Sequence, residues 1–255
     1  MTRWIRFEHS ATTAFGRLEE DTIHVHEGDM FGTPQPTGAT LPLSAVRVLT
    51  PTVPRKMIAL WNNFRALAAK LDSAIPAEPL WFLKAPSSFL AHGETIPRPA
   101  AYDGKVVYEG ELGIVIGRRC ASVAESEAAA CIFGYTCVND VTAAELINKD
   151  AAFQQWTRAK SFDGFGVFGP VVATGLDPAA LTVKLVLNGQ ERQSYPVADM
   201  IFPPARIVSL LSRDVTLEPG DVICCGTSVG VGSMKPGSSV EVSIEGIGTL
   251  ANRYG

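Results

Sequence analysis

Histidine, basic clusters and long apolar runs are all scarce in this chain, and each scarcity excludes a class of function. The net charge is −4 and no run of Lys or Arg occurs, so the composition predicts neither a nucleic-acid partner nor attachment to anionic lipid. No stretch approaches the about 20 apolar residues that cross a bilayer, and the N-terminal residues lack the apolar segment of a signal peptide. We therefore expect a cytoplasmic protein with no membrane partner.

Cysteine is also sparse, at five residues, and its spacing matches no zinc motif. The adjacent Cys224 and Cys225 cannot form an ordinary unstrained disulfide with each other, so reduced and mostly buried thiols are expected. The 46% hydrophobic content is enough for a full core, and the length of 255 residues allows one large domain plus a small one.

The pattern along the chain predicts an α+β protein that is mostly β. Residues 1–50 alternate polar and apolar residues between Gly and Pro turns, which indicates a small N-terminal β domain. A Pro-rich linker follows, and a second domain is predicted over residues 54–255. Short helices are predicted over 62–71, 122–130 and 204–212, and Asn188-Gly189 predicts a type I′ hairpin.

Two glutamates one residue apart open an otherwise apolar strand that runs from Val106 to Ile116. Residues i and i+2 of a strand project from the same face, so Glu109 and Glu111 would point into one small volume. Like charges that close repel each other, and a shared cation relieves the repulsion. A strand edge with both glutamates in water is the alternative.

A third carboxylate, Asp140, ends the next apolar strand, where a turn into a helix is expected. Together with Glu109 and Glu111 it would supply three hard oxygen ligands of the kind that Mg²⁺ or Mn²⁺ prefers. Taken alone, Asp140 could equally be the N-cap of that helix.

The segment Gly226-Thr227-Ser228-Val229-Gly230 has the G-x-S-x-G pattern of a serine hydrolase, but that fold needs a histidine after the serine. All four histidines precede residue 93, so we reject this interpretation. The glycine-rich turn could instead hold an anionic substrate group through its N–H groups and the Thr227 hydroxyl, or be a plain turn.

His24 and His26 share a strand face, and a surface strand is favoured there over a zinc site. Lys160 is flanked by aromatic residues that could lower its solvation, and a solvated loop lysine is the alternative.

Five segments, in this order, resemble the fumarylacetoacetate hydrolase family over residues 54–253, and residues 1–50 resemble the small N-terminal domain of its bacterial members. The segments are Glu109-Gly110-Glu111-Leu112, the run 134–143 through Asn139-Asp140, Arg158–Asp163 with Phe168-Gly169-Pro170, Gly226-Thr227, and Ile244–Gly248.

The resemblance implies a mixed β-roll domain, a homodimer, and a Mg²⁺, Mn²⁺ or Ca²⁺ ion held by Glu109, Glu111 and Asp140. The substrates it implies are 2-oxo or 1,3-diketo acids, with Lys160 beside the developing oxyanion. Thr227, Gly226 and Lys84 are assigned to substrate binding.

One departure from the family bears on the reaction. Hydrolytic and decarboxylating members carry a His and a Glu in a flap helix, and the matching positions here are Leu67 and Lys70. A leucine cannot move protons. C–C bond hydrolysis or decarboxylation of an acylpyruvate or 2-oxo dicarboxylate is the leading hypothesis on family grounds. Isomerisation or hydration of a 2-oxo-enoate, and a catalytically silent protein that binds metal and small acids, are the alternatives.

Overall fold

The computed structural model describes residues 1–255 and is dominated by β-structure, as expected. The strands are β1 (Thr2–His9), β2 (Thr12–Glu19), β3 (Thr22–Glu27), β4 (Gln35–Pro42), β5 (Arg47–Val48), β6 (Met57–Trp61), β7 (Leu80–Lys84), β8 (Phe89–Leu90), β9 (Thr95–Ile96), β10 (Val106–Tyr108), β11 (Gly110–Ile116), β12 (Ile132–Asp140), β13 (Thr142–Ala143), β14 (Gly166–Thr174), β15 (Thr182–Leu187), β16 (Gln190–Pro196), β17 (Val222–Cys224), β18 (Gly232–Ser233), β19 (Ser239–Ile244) and β20 (Gly248–Tyr254). The helices are α1 (Arg65–Lys70), α2 (Glu125–Ala128), α3 (Trp156–Lys160) and α4 (Pro204–Asp214). None of them is long and apolar enough to cross a membrane.

Three sheets make up the fold. The large sheet has the order β4-β3-β2-β1-β14-β12-β11-β17-β6-β7, with β5 beside β1 and β8 beside β14. A five-stranded sheet, β16-β15-β19-β20-β9, packs on it, and β13-β10-β18 form a small third sheet. The N-terminal strands β1 to β4 form an antiparallel meander that joins the large sheet where β1 pairs with β14, at Thr2 opposite Thr174.

The two faces of the large sheet bury separate apolar clusters. Leu112, Ile114 and Ile116 of β11 lie in the larger cluster, which the second sheet helps to form. Val115 projects from the opposite face and joins a smaller cluster with Val138 of β12 and other residues. Side chains alternate along a strand, so Glu111 and Asp140 project from the same face as Val115 and Val138.

Several local predictions are confirmed. Asn188 and Gly189 have φ values of 51° and 76°, as a type I′ turn requires, and they join β15 to β16. The helix predicted to begin at Pro204 is α4, which continues to Asp214. The helix expected over 122–130 is α-helical only from Glu125 to Ala128 and ends in a 3₁₀ turn.

The helix predicted from residue 62 begins later, at Arg65, because two asparagine side chains bind backbone groups outside it. Asn62 has a φ of 55° and donates to Ala74 O at 3.0 Å. Asn63 donates to Cys225 O at 2.8 Å and accepts from Phe202 N at 2.9 Å. The positive φ of Asn62 lies outside the right-handed helical region, and the Asn63 side chain is held by segments distant in sequence, so the helix starts after both residues.

Asp221 connects the linker before β6 to the start of β17. Its Oδ1 accepts from Arg55 N and Lys56 N, both at 3.1 Å, and its Oδ2 accepts from Glu218 N at 2.8 Å. The Lys56 ammonium also contacts it, with 22% of the Lys56 side chain and 1% of the Asp221 side chain exposed.

We predict that Asp221→Ala lowers the free energy of unfolding by at least about 2 kcal/mol, because three backbone N–H groups lose a charged acceptor. Lys56→Met is the control and should cost less than Asp221→Ala, since the three backbone bonds to the carboxylate remain. Urea unfolding of both variants measures the difference, and equal losses would show that the ion pair, rather than the backbone bonds, matters.

Candidate metal centre and active site

Three carboxylates converge where β10, β11 and β12 meet. One ligand oxygen from each of Glu109, Glu111 and Asp140 lies within 4.8 Å of the others. The antiparallel pairing of Gly110 with Asn139 brings the glutamates close to Asp140, and Asp140 N donates to Glu109 O at 2.9 Å.

The strand expected to run unbroken through Glu109 is interrupted there, between β10 and β11. Glu109 N donates to the Asn139 side chain at 3.0 Å, and the Glu109 carboxylate accepts from the Thr142 hydroxyl at 2.8 Å. The two glutamates, at positions i and i+2 on either side of Gly110, still converge as predicted. The prediction of a helix directly after Asp140 is also wrong: β13 and a 3₁₀ turn follow Asp140 instead.

Two buried lysines reach this cluster. Lys160 Nζ lies 2.7 Å from Glu109 Oε2 and 2.6 Å from Asp140 Oδ2, so it is not a solvated loop lysine. Lys84, at the end of β7, donates to the other oxygen of Asp140 and lies 3.5 Å from Val141 O. With every group ionised, three carboxylates and two ammonium groups leave one net negative charge, which a cation would reverse.

The electrostatics keep Lys160 charged. Burial alone would lower the pKa of the Lys160 ammonium, but the charges of Asp140 and Glu109 outweigh burial and raise this pKa above its usual value. Burial would likewise raise the pKa of Asp140, yet Lys160 and Lys84 bring it below its usual value. The neighbouring carboxylates therefore favour the charged form of Lys160.

Glu111 is the least satisfied member of the cluster. Its side chain is fully buried, and its Oε2 accepts from Gly226 N at 2.9 Å while its Oε1 has no hydrogen-bond partner. Burial, and then the charge of Asp140, raise the pKa of Glu111 well above its usual value. An unpartnered carboxylate oxygen beside two further carboxylates fits a hard divalent cation such as Mg²⁺ or Mn²⁺.

The glycine-rich turn predicted to bind substrate adjoins the carboxylates. Gly226 has a φ of 89°, and an added Cβ would lie 3.2 Å from Leu60 O, so a larger residue would be strained there. Thr227 Oγ1 donates to Gly110 O at 2.9 Å. Both residues thus lie beside the cluster, with their observed bonds made to protein groups, and the substrate roles of Thr227, Gly226 and Lys84 stay predictions.

The flap helix carries no proton-transfer dyad. Leu67 is buried in the larger apolar cluster and Lys70 is exposed. The helix is anchored at its start, where Ala66 N donates to Asp199 Oδ2 at 2.9 Å. His92, the one histidine of the second domain, does not replace this dyad: its Nδ1 accepts from Ala251 N at 3.1 Å, and the residue lines a separate cavity of about 640 Å³ beside Arg47 and Glu94.

Neither the serine of the G-x-S-x-G segment nor its cysteine neighbour is set up as a nucleophile. Ser228 is fully buried and its Oγ has no partner. Burial raises the pKa of the Cys225 thiol well above its usual value. All five cysteines are free and buried, and His24 and His26 belong to no metal cluster.

Three further residues of the site were missed in the sequence: Thr142, Gln193 and Tyr195. Gln193 accepts from Gly110 N and Tyr195 donates to Gly110 O, so both fix the residue between the two glutamates. Gln193 could have been noticed because it is a polar residue two positions before Tyr195, on the buried face of the alternating strand β16.

Comparison with known proteins agrees with this geometry. Residues 56–254 match the model of the fumarylacetoacetate (FAA) hydrolase C-terminal domain. The chain belongs to the fumarylacetoacetate hydrolase family. Residues 2–51 match the Rv2993c-like N-terminal domain, so the predicted resemblance is confirmed.

Relatives in this family have names that include tautomerases, isomerases and decarboxylases. Oxaloacetate tautomerase YisK of Bacillus subtilis is 34% identical over 80% of this chain and 71% of its own. The 4-hydroxyphenylacetate degradation bifunctional isomerase/decarboxylase of Salmonella dublin is 32% identical over 96% of this chain and 63% of its own. The crystal structure of 2-hydroxyhepta-2,4-diene-1,7-dioate isomerase from Mycobacterium marinum superposes with a TM-score of 0.91 at 36% identity, covering 100% of this chain and 98% of that one.

We predict that Glu111→Gln stabilises the metal-free protein and abolishes Mn²⁺ binding. The amide keeps an acceptor for Gly226 N but removes a buried charge next to Asp140, which should raise the melting temperature by a few degrees. A raised folded-state pKa costs stability above that pKa, so the difference from wild type should shrink as the pH falls and Glu111 takes up a proton. Calorimetric unfolding and Mn²⁺ titration test both halves; a melting temperature below wild type would contradict the interpretation of Glu111.

A second prediction concerns Ser228 and Cys225. Because both are buried without an activating base, the native protein should resist a serine-directed phosphonate and iodoacetamide. Mass spectrometry should find these residues unmodified, while guanidinium-unfolded protein labels at all five cysteines. Stoichiometric labelling of either residue in the native protein would refute the prediction.

Proposed function

We propose that this protein is a divalent-metal-dependent enzyme that catalyses keto–enol tautomerisation or isomerisation of small 2-oxo acids. The observation that carries the proposal is the cluster of Glu109, Glu111 and Asp140, with the unpartnered Glu111 oxygen, beside the charged Lys160. Mg²⁺ or Mn²⁺ is the proposed cofactor, and Ca²⁺ is a further candidate.

The three carboxylates would hold the ion, and the ion would supply Lewis-acid polarisation of the oxo group. Lys160 would add a positive charge at the same point, where it favours negative charge that develops on the substrate oxygen. Gly226, Thr227 and Lys84 are proposed to bind the substrate carboxylate. A divalent ion changes the net charge of the cluster from −1 to +1, which suits an anionic oxo acid.

Isomerisation is favoured over hydrolysis because the site lacks a base to activate water. Leu67 is buried and Lys70 is exposed on α1, so neither can replace the flap dyad of hydrolytic members. Proton transfer between carbon and oxygen needs no attacking water: an ion that polarises the oxo group would acidify the α-carbon, so that solvent water could carry the proton. The tautomerase and isomerase relatives support this choice.

Decarboxylation of a 2-oxo dicarboxylate is the second candidate, supported by the isomerase/decarboxylase relative. Loss of CO₂ also places negative charge on the oxo oxygen and also needs no activated water. C–C bond hydrolysis, the leading expectation from the family, ranks below both because it needs a general base. A homodimer in the cytoplasm completes the proposal, and sedimentation analysis tests the dimer.

The experiment follows the enol absorbance of oxaloacetate and of an acylpyruvate with Mg²⁺ or Mn²⁺, together with CO₂ release. Faster enol decay than with metal alone, without CO₂ release or cleavage, supports the tautomerase. Stoichiometric CO₂ would establish the decarboxylase, and cleaved acylpyruvate the hydrolase. Mn²⁺ binding with no turnover of any substrate would leave the silent binding protein.

We predict that Lys160→Met lowers kcat/KM about 10²–10³-fold without weakening Mn²⁺ binding, because it removes a stabilising charge that also repels the cation. Lys184→Met, at an exposed position of β15, is the matched control and should behave as wild type. Unchanged turnover in Lys160→Met would rule out this role for the lysine.

A further inference from the structure

Gln193 is a buried amide in a strand whose other side chains are largely exposed. Within β16 only Gln193 and Tyr195 are buried, and Gln193 retains 1% of its exposure. A buried amide must find hydrogen-bond partners, and these identify what the side chain contacts. Its Oε1 accepts from Gly110 N at 2.9 Å, and its Nε2 donates to Thr227 Oγ1 at 2.9 Å.

The first partner, Gly110, separates the two glutamates of the metal centre. Gln193 binds the N–H of the peptide that joins Glu109 to Gly110, while Tyr195 and Thr227 donate to the carbonyl of the peptide that joins Gly110 to Glu111. An added Cβ at Gly110 would lie 3.1 Å from Leu185 and 3.3 Å from Gln193 Oε1. The β15–β16 hairpin is therefore in close contact with the break in the strand, and it holds both peptides between the carboxylates.

The second partner is the glycine-rich turn. Gln193 Nε2 also lies 3.2 Å from Ser228 O and 3.3 Å from Val229 O, so one amide contacts three successive residues of the turn. The same turn supplies Gly226 N to Glu111. One side chain thus connects the backbone between the carboxylates with the turn proposed to bind the substrate.

We propose that Gln193 is a positioning residue that sets the separation of Glu109 and Glu111 and ties it to the 226–229 turn. Metal affinity and oxo-acid binding then both depend on a residue that contacts neither the metal nor the oxo acid. Residues that orient metal ligands typically change affinity about 10–100-fold when they are replaced. The inference rests on the proposed metal-dependent function and adds the residue that organises its site.

The test replaces Gln193 by Met, which has a similar volume and makes no amide hydrogen bonds. We expect Mn²⁺ affinity, measured by calorimetry, to fall about 10-fold or more, and the KM for the oxo acid to rise. Gln190→Met is the matched control on the same strand, since Gln190 is exposed and bonds only Arg192, and it should match wild type.

A merely space-filling role gives a different pattern. A lower melting temperature in Gln193→Met with unchanged Mn²⁺ affinity and KM would overturn the proposal. If Gln193→Met does not fold, Gln193→Asn carries the same test, because its shorter amide cannot span both partners. Wild-type protein that fails to bind Mn²⁺ would refute the proposed function as well, whereas equal binding by wild type and variant refutes only the role of Gln193.

Discussion

The repulsion between three clustered carboxylates, two of them fully buried, is the constraint on which the rest of the site depends. Glu109, Glu111 and Asp140 gather at the end of the smaller apolar cluster, where water cannot screen their charges. Lys160 and Lys84 offset part of that repulsion, and both contact Asp140. Glu111 contacts neither lysine, so the folded chain keeps one poorly satisfied carboxylate oxygen where the proposed cation would bind. An unsatisfied buried group of this kind lowers stability, and proteins usually retain such groups only at functional sites.

Much of this arrangement could be predicted from strand periodicity and turn chemistry. Alternation grouped Glu109 with Glu111, and Asp140 was recognisable at the end of an apolar strand. The Asn188-Gly189 turn also followed from its residues alone, because both need positive φ. These are local rules, and they depend on few neighbours.

The remainder depends on contacts between distant segments. At the break, Glu109 N donates to the side chain of Asn139, thirty residues further along the chain. Lys84 gave a weak signal as a lysine at the end of an apolar strand, but only tertiary structure pairs it with Asp140. The start of α1 was misplaced because the partners of Asn63, Cys225 and Phe202, lie far away in sequence. Propensity and periodicity cannot detect such bonds.

The pairing of β1 with β14 has a consequence for how this architecture can be rearranged. Strand β14 has β12, which ends in Asp140, on one side, and on the other side β8 covers its start while β1 covers its end. A shortened chain without the meander would leave the hydrogen-bonding groups near Val172–Thr174 open to pairing with any passing strand. The N-terminal strands therefore cover an edge that would otherwise favour aggregation. An engineered variant that lacks them needs another strand paired with the end of β14.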